Sequence, residues 1–151
     1  MLTAEDENLV WERVETVLRP AFNWYDDVPG ILAPAPSRTY TITTHYSPEG
    51  QAFFAELLRP TFCRMVPSGQ RILVLDWQHP CYSVGPHLLV TDTHWPIPVL
   101  PDGDHYFFLD DSFRWGTYGH PGQQSLCIFG PLLPQVENEL RDFPVLWEST
   151  K

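Results

Sequence analysis

The 151-residue chain has the length of one ordinary domain, is 43% hydrophobic and carries a formal charge of −10. An acidic excess repels nucleic-acid phosphates and anionic lipids, and no apolar run reaches the roughly 20 residues that span a bilayer, so neither partner is expected. The three scattered cysteines and the acidic N-terminus, which lacks a signal-peptide pattern, predict a cytoplasmic protein with reduced thiols. We expect a single domain over residues 1–151.

Three helices are predicted in chain order. The first spans Ala4 to Leu18, with Thr3 as its cap and an apolar stripe of Val10, Val14, Val17 and Leu18. The second begins at Pro48, and Pro60 is expected to kink or break it. The third begins at Pro131 and ends before Pro144.

The predicted strands are short and lie mostly in the C-terminal half. Alternation of apolar residues with threonine predicts a half-buried strand over 38–45, and a near-continuous apolar run predicts a central strand over 71–77. Turn signals then separate five further segments: 87–92, 95–100, 105–110, 113–118 and 124–129. The order predicts an α+β fold, in which two to three helices pack on one face of an antiparallel sheet of about five to six strands, with a meander in its C-terminal half.

The stretch "GTYGHPGQQSLCIFG", residues 116–130, predicts a tight hairpin turn and a buried outgoing strand. Pro121 fixes one backbone angle, and Gly119 and Gly122 can supply positive φ. Apolar residues on both faces of the outgoing strand make Cys127 a packed thiol rather than a nucleophile. His120 either serves a site or bonds within its own turn.

Four side chains are candidates for acid–base chemistry: Asp76, Asp104, His105 and His120. Asp76 ends the central strand, where it is either solvated or buried beside a partner such as His79 or Arg71. A buried carboxylate with a perturbed pKa would be a candidate general base.

A metal site is not predicted. Carboxylate and imidazole groups occur together in one set of residues: Asp92, His94, Asp104, His105 and His120. The set has no HxH or HExxH spacing, and several of its members adjoin turns, where Asp and His are ordinary. We therefore expect no metal and no other cofactor.

The aromatic content exceeds what one small core usually needs, with 14% Phe, Trp and Tyr. Tryptophan is favoured at interfaces and ligand clefts, although these rings, Trp77 among them, can instead cover the open face of a small sheet. The candidate binding residues are Trp24, Tyr25, Trp95, Trp115, Tyr118 and His120.

Residues 95–130, "WPIPVLPDGDHYFFLDDSFRWGTYGHPGQQSLCIFG", and the earlier "PAPSRTY" resemble a bacterial family known as domain of unknown function 2716. The resemblance covers most of the chain, from Trp11 to about Leu133. Gly122 departs from it, because a large aromatic is expected after the His-Pro pair. The resemblance implies a small cytosolic bacterial protein and no established activity, so it assigns no catalytic role.

Two functions are expected from these observations. The first is binding of a basic protein, as an immunity or antitoxin protein does, through an acidic and aromatic-rich surface. The alternative is a small enzyme or small-molecule-binding protein with a cleft near Asp104, His105 and His120. The chain is either a monomer or a homodimer, and the segment 95–100 is the edge that a structural homodimer would use.

Overall fold

The computed structural model describes residues 1–18, 31–42, 48–77, 79–88, 96, 99, 104–122, 124–141 and 146–148. Its α-helices are α1 (Ala4–Arg13), α2 (Pro48–Met65) and α3 (Leu132–Arg141). A π-helical turn (Val14–Leu18) continues α1, and a 3-10 turn covers Pro86–Leu88. Within the described ranges, no helix is both long and apolar enough to cross a membrane.

The described strands form one antiparallel sheet. They are β1 (Ser37–Ile42), β2 (Ile72–Asp76), β3 (Tyr82–Val84), β4 (Tyr106–Leu109), β5 (Gly116–His120), β6 (Ser125–Phe129) and β7 (Leu146–Glu148). Their order across the sheet is β3-β2-β4-β5-β6-β1-β7. The predicted α+β fold and the β4–β5–β6 meander are confirmed, with the short strands β3 and β7 added at the two edges.

The two faces of the sheet carry different helices. One face packs on α2 and α3, through a core that includes Phe62, Phe108 and Val136. The other face packs on α1 and its π turn, through a core that includes Leu18 and Phe107. The expectation that helices pack on one face thus describes α2 and α3, whereas α1 covers the opposite face. Strands β4, β5 and β6 are consequently buried on both sides.

The first helix begins as its sequence predicts. The Asp6 backbone N–H donates to Thr3 Oγ1 at 3.1 Å, which caps the helix. Val14 and Leu18 are buried, but Val17 is 47% exposed and does not belong to the apolar stripe. A π turn has more residues per turn than an α-helix, so it aligns Val14 with Leu18 and turns Val17 outward.

Pro60 does not break its helix, and two glycines of the predicted hairpin turn do not have the positive φ expected of them. Helix α2 passes through Pro60 without a break, and Pro60 lies on its exposed side. The β5–β6 hairpin forms where predicted, but Gln124, with φ 47°, supplies the positive φ instead of Gly119 or Gly122. Gly119 lies inside β5, which extends to His120.

The remaining predicted strands lie largely beyond the described residues. Of 87–92 only the first two residues are described, within the 3-10 turn, and of 95–100 only positions 96 and 99 are described.

The end of β6 is fixed by Gly130, whose φ is +72° and whose missing side chain makes room for the Arg114 carbonyl oxygen.

Candidate functional site

Polar residues collect at one end of the sheet, where β2 and β5 end and β4 begins. Asp76 pairs with Tyr106 across β2 and β4, and Tyr106 pairs with Gly119 across β4 and β5. This register brings residues distant in sequence together at the same edge. We call them the acid–histidine cluster: Asp76, His79, Asp104, His105, Tyr118 and His120.

The outer part of the cluster is a pair of carboxyl groups bridged by an imidazole. His79 Nδ1 lies 3.0 Å from Asp76 Oδ1 and 3.1 Å from Asp104 Oδ2. Both carboxyl groups are buried, whereas the His79 side chain is 63% exposed. His79 therefore stands between solvent and the acid pair.

Burial and a neighbouring acid change the protonation of Asp76. Desolvation and, after it, a hydrogen bond with the Asp104 carboxyl together raise its pKa to about 6, and His79 opposes both effects. The hydrogen bond requires a proton between the two carboxyl groups. In return, Asp76 and, more weakly, Asp104 raise the pKa of the exposed His79 imidazole.

The inner part of the cluster is a buried chain of rings. The His105 backbone N–H donates to Asp104 Oδ1 at 2.8 Å, and His105 Nδ1 lies 2.7 Å from the Tyr118 hydroxyl oxygen. His105 stacks on Tyr118 with ring centroids 5.9 Å apart, and the His120 ring meets His105 edge-on at 4.9 Å. Trp77, half-buried, contacts His105 edge-on. Because these rings hold His105 in place, its backbone N–H holds the Asp104 carboxyl group in position.

The arrangement offers two kinds of chemistry. The paired carboxyl groups can exchange a proton with a bound molecule. One ligand atom each from Asp76, His79 and Asp104 also lie within 4.8 Å of one another, so the three residues could hold a divalent cation.

A separate cleft of about 240 Å³ lies at the opposite end of β2. Its lining residues are Ser68, Gly69, Gln70, Arg71, Gly85 and His87. Arg71 belongs to this end, where it donates to Ser83, so it is not a partner of Asp76. These lining residues include no carboxyl group, and the acid–histidine cluster lies at the other end of β2.

Comparison with known proteins gives a family match that includes the motif-bearing residues 95–130. The model of a family described as "Protein of unknown function (DUF2716)" matches residues 1–133. The chain belongs to this family. The uncharacterised protein YxiI of Bacillus subtilis (strain 168) is 39% identical over 79 residues. That match covers 50% of this chain and 47% of YxiI, about half of each. No solved structure matches.

Within the DUF2716 chain, the structure brings together all four acid–base candidates. Asp76 is buried beside His79, one of the two partners considered, and is not at a solvated strand end. Asp104, His105 and His120 are also buried. His120 packs against the rings of His105 and Tyr118 as the last residue of β5, so it is not merely a residue of the turn.

The candidate binding aromatics do not form a described surface. Trp115 and Tyr118 are buried, Trp115 packs on Phe62, and His120 is buried as well, so none of them lies on an exposed face. Trp24, Tyr25 and Trp95 lie outside the described residues, as do Asp92 and His94 of the possible metal set.

Cys127 is the packed thiol that the sequence of its strand predicted. It is buried in β6, and desolvation raises the pKa of its thiol to about 11, which keeps it protonated. Its pattern of apolar neighbours was sufficient to indicate this. The contact between Asp76 and Asp104 had no comparable signal, because it depends on β2 pairing with β4.

Proposed function

We propose that the acid–histidine cluster is the acid–base site of a small hydrolytic enzyme. The observation that carries the proposal is the buried Asp76–Asp104 carboxyl pair, bridged by the exposed imidazole of His79. Two carboxyl groups that share a proton can act as acid and base in one step. The substrate is a small polar molecule that approaches over His79.

Each described residue has a distinct role in this proposal. The ionised oxygen of the pair accepts a proton from water as the water attacks, and the shared proton passes to the leaving group. The His105 N–H and the rings behind it hold Asp104 in position. His79 limits access and, when protonated, favours the ionised form of the Asp76 carboxyl group.

The first test is hydrolysis of chromogenic esters, phosphate esters and glycosides by the wild-type protein and by two matched variants. Asp76→Asn removes the ionisable group, and Asp111→Asn makes the same chemical change at an exposed turn. We expect turnover of one substrate class that Asp76→Asn lowers at least about 100-fold and Asp111→Asn leaves unchanged. Equal turnover by both variants, or no turnover of any class by the wild type, would contradict the proposal.

The second test concerns the carboxyl pair itself. Asp104→Asn removes the neighbouring charge that helps to raise the Asp76 pKa, so carbon-13 NMR should show Asp76 titrating at lower pH. An unchanged Asp76 titration would show that the two carboxyl groups do not interact in solution.

Binding of a basic protein is a second proposed function. The observation that favours it is the solvent-facing surface of α1, which is acidic and contains an exposed leucine. An immunity-type role would use such a surface without catalysis.

A further inference from the structure

The solvent-facing side of α1 has an unusual combination of charge and apolar area. Leu9 is 60% exposed at the middle of this side. Glu5 and Glu12 flank it at helical spacings of four and three residues, and Asp6 lies three residues before it. We call these four residues the α1 outer face.

The charge on this face is not neutralised by the helix itself. Arg13 is the basic residue in the last turn of α1. Its guanidinium Nη1 donates to the Asp111 backbone oxygen at 2.8 Å, and the group lies 4.4 Å from the centre of the Phe113 ring. Among the described residues, no cation lies within ion-pair distance of Glu5, Asp6 or Glu12.

Apolar surface continues at the C-terminal end of the same helix. Val17 is 47% exposed because of the π turn, and Leu32 is 58% exposed. The Leu32 backbone N–H donates to the Leu18 carbonyl oxygen at 2.6 Å, which places Leu32 beside this end of the helix. Leu9 and Val17 occupy solvent-facing helix positions, which are ordinarily polar, and together with Leu32 they offer apolar area for contact with a partner.

Charge decides which partner fits. A second copy would present the same acidic face, and anionic lipid would also be repelled, so both are disfavoured. A cationic amphipathic segment matches both the acidic charge and the apolar area of this surface. Its basic side chains meet the glutamates, and its apolar side chains cover Leu9 and Val17.

We propose that the α1 outer face docks a basic amphipathic helix of another protein. This names the surface and the partner chemistry for the second function proposed above, and it does not depend on the acid–histidine cluster. Leu9 is the central apolar contact, and Glu5, Asp6 and Glu12 fix the orientation and speed the encounter.

The test measures the affinity of a fluorescein-labelled helical peptide of leucine and lysine by anisotropy at low salt. Glu12→Lys and Glu139→Lys change the net charge equally, and Glu139 is exposed on α3, away from α1. We expect Glu12→Lys to weaken binding at least about tenfold and Glu139→Lys to weaken it less than about twofold. Leu9→Ser should also weaken binding roughly tenfold, because it removes the apolar contact.

Several results would overturn the proposal. Equal losses in Glu12→Lys and Glu139→Lys would show attraction to net charge alone. An unchanged affinity in Leu9→Ser, or no binding by the wild type, would exclude an apolar docking surface. Concentration-dependent dimerisation that Leu9→Ser abolishes would assign the face to a second copy. Asp76→Asn should bind the peptide as the wild type does, so this test and the enzymatic test fail separately.

Discussion

Strand β4 has a buried aspartate near each end, Asp104 before it and Asp110 after it, and their surroundings differ in kind. Asp110 is surrounded by donors. Its Oδ1 accepts the backbone N–H groups of Arg114 at 2.6 Å and Trp115 at 3.0 Å, and its Oδ2 lies 3.4 Å from Arg114 Nε. These bonds close the turn between β4 and β5.

Asp104 has a different set of neighbours. Its described contacts include the His105 backbone N–H, which it accepts, the exposed imidazole of His79 and the carboxyl group of Asp76. A second acid is a poor neighbour for a structural carboxylate, because like charges oppose ionisation. Burial of an aspartate therefore does not by itself indicate a functional site, and the second carboxyl group beside Asp104 is the feature on which the proposed site rests.

The largest expected effect on stability is at Asp110, after β4. Asp110→Ala leaves the backbone N–H groups of Arg114 and Trp115 without their acceptor, so we expect the free energy of unfolding to fall by about 3 kcal/mol. Urea denaturation measures this loss. The exposed neighbour in Asp111→Ala should change stability by less than about 0.5 kcal/mol. A loss as small in Asp110→Ala as in Asp111→Ala would remove the distinction between the two ends.

In the acid–histidine cluster, removing a carboxyl group should have the opposite effect: at high pH, Asp76→Asn should raise the free energy of unfolding. The folded-state pKa of Asp76 is about 6, above its ordinary 3.8, so the folded protein holds this proton more tightly than the unfolded chain. Stability is thus lost as pH rises through about 6, and the raised pKa of His79 adds to the loss in the same direction. Asp76→Asn imitates the protonated acid and removes the Asp76 contribution.

We therefore expect Asp76→Asn to exceed the wild type in stability at about pH 5, and by on the order of 1 kcal/mol more at about pH 8, because the loss begins near the ordinary pKa of 3.8 and is complete above about pH 6. Denaturation at the two pH values measures the difference. A variant that is less stable than the wild type at both values would mean that Asp76 is a structural carboxylate like Asp110.

Sequence reasoning identified the parts of the molecule that depend on local pattern. The apolar runs of β2, β4 and β6 and the Thr3 cap of α1 all have local signals, and the structure has each of them. Strands β3 and β7 were not predicted, because three residues are too few to show a period. The side of the sheet that α1 covers also had no local signal.

The candidate site was predictable as residues but not as an arrangement. Asp76, Asp104, His105 and His120 were selected for their chemistry beside strand ends and turns. The acid pair itself needs the antiparallel pairing of β2 with β4, which are not consecutive strands. Strand order depends on long-range packing, so the sequence could name His79 only as one of two partners for Asp76.

The smallest expected effect concerns the His120 side of the cluster. A Cβ at Gly122 would lie 3.4 Å from His120 Cε1, an ordinary contact distance, and Gly122 is not among the residues with positive φ. Gly122→Ala should therefore stabilise the protein by roughly 0.5 kcal/mol, chiefly by restricting the unfolded chain, and calorimetry should show a small rise in Tm. A fall in Tm would mean that the turn after β5 has no space beside His120, and that the larger aromatic expected there in the family needs a different turn.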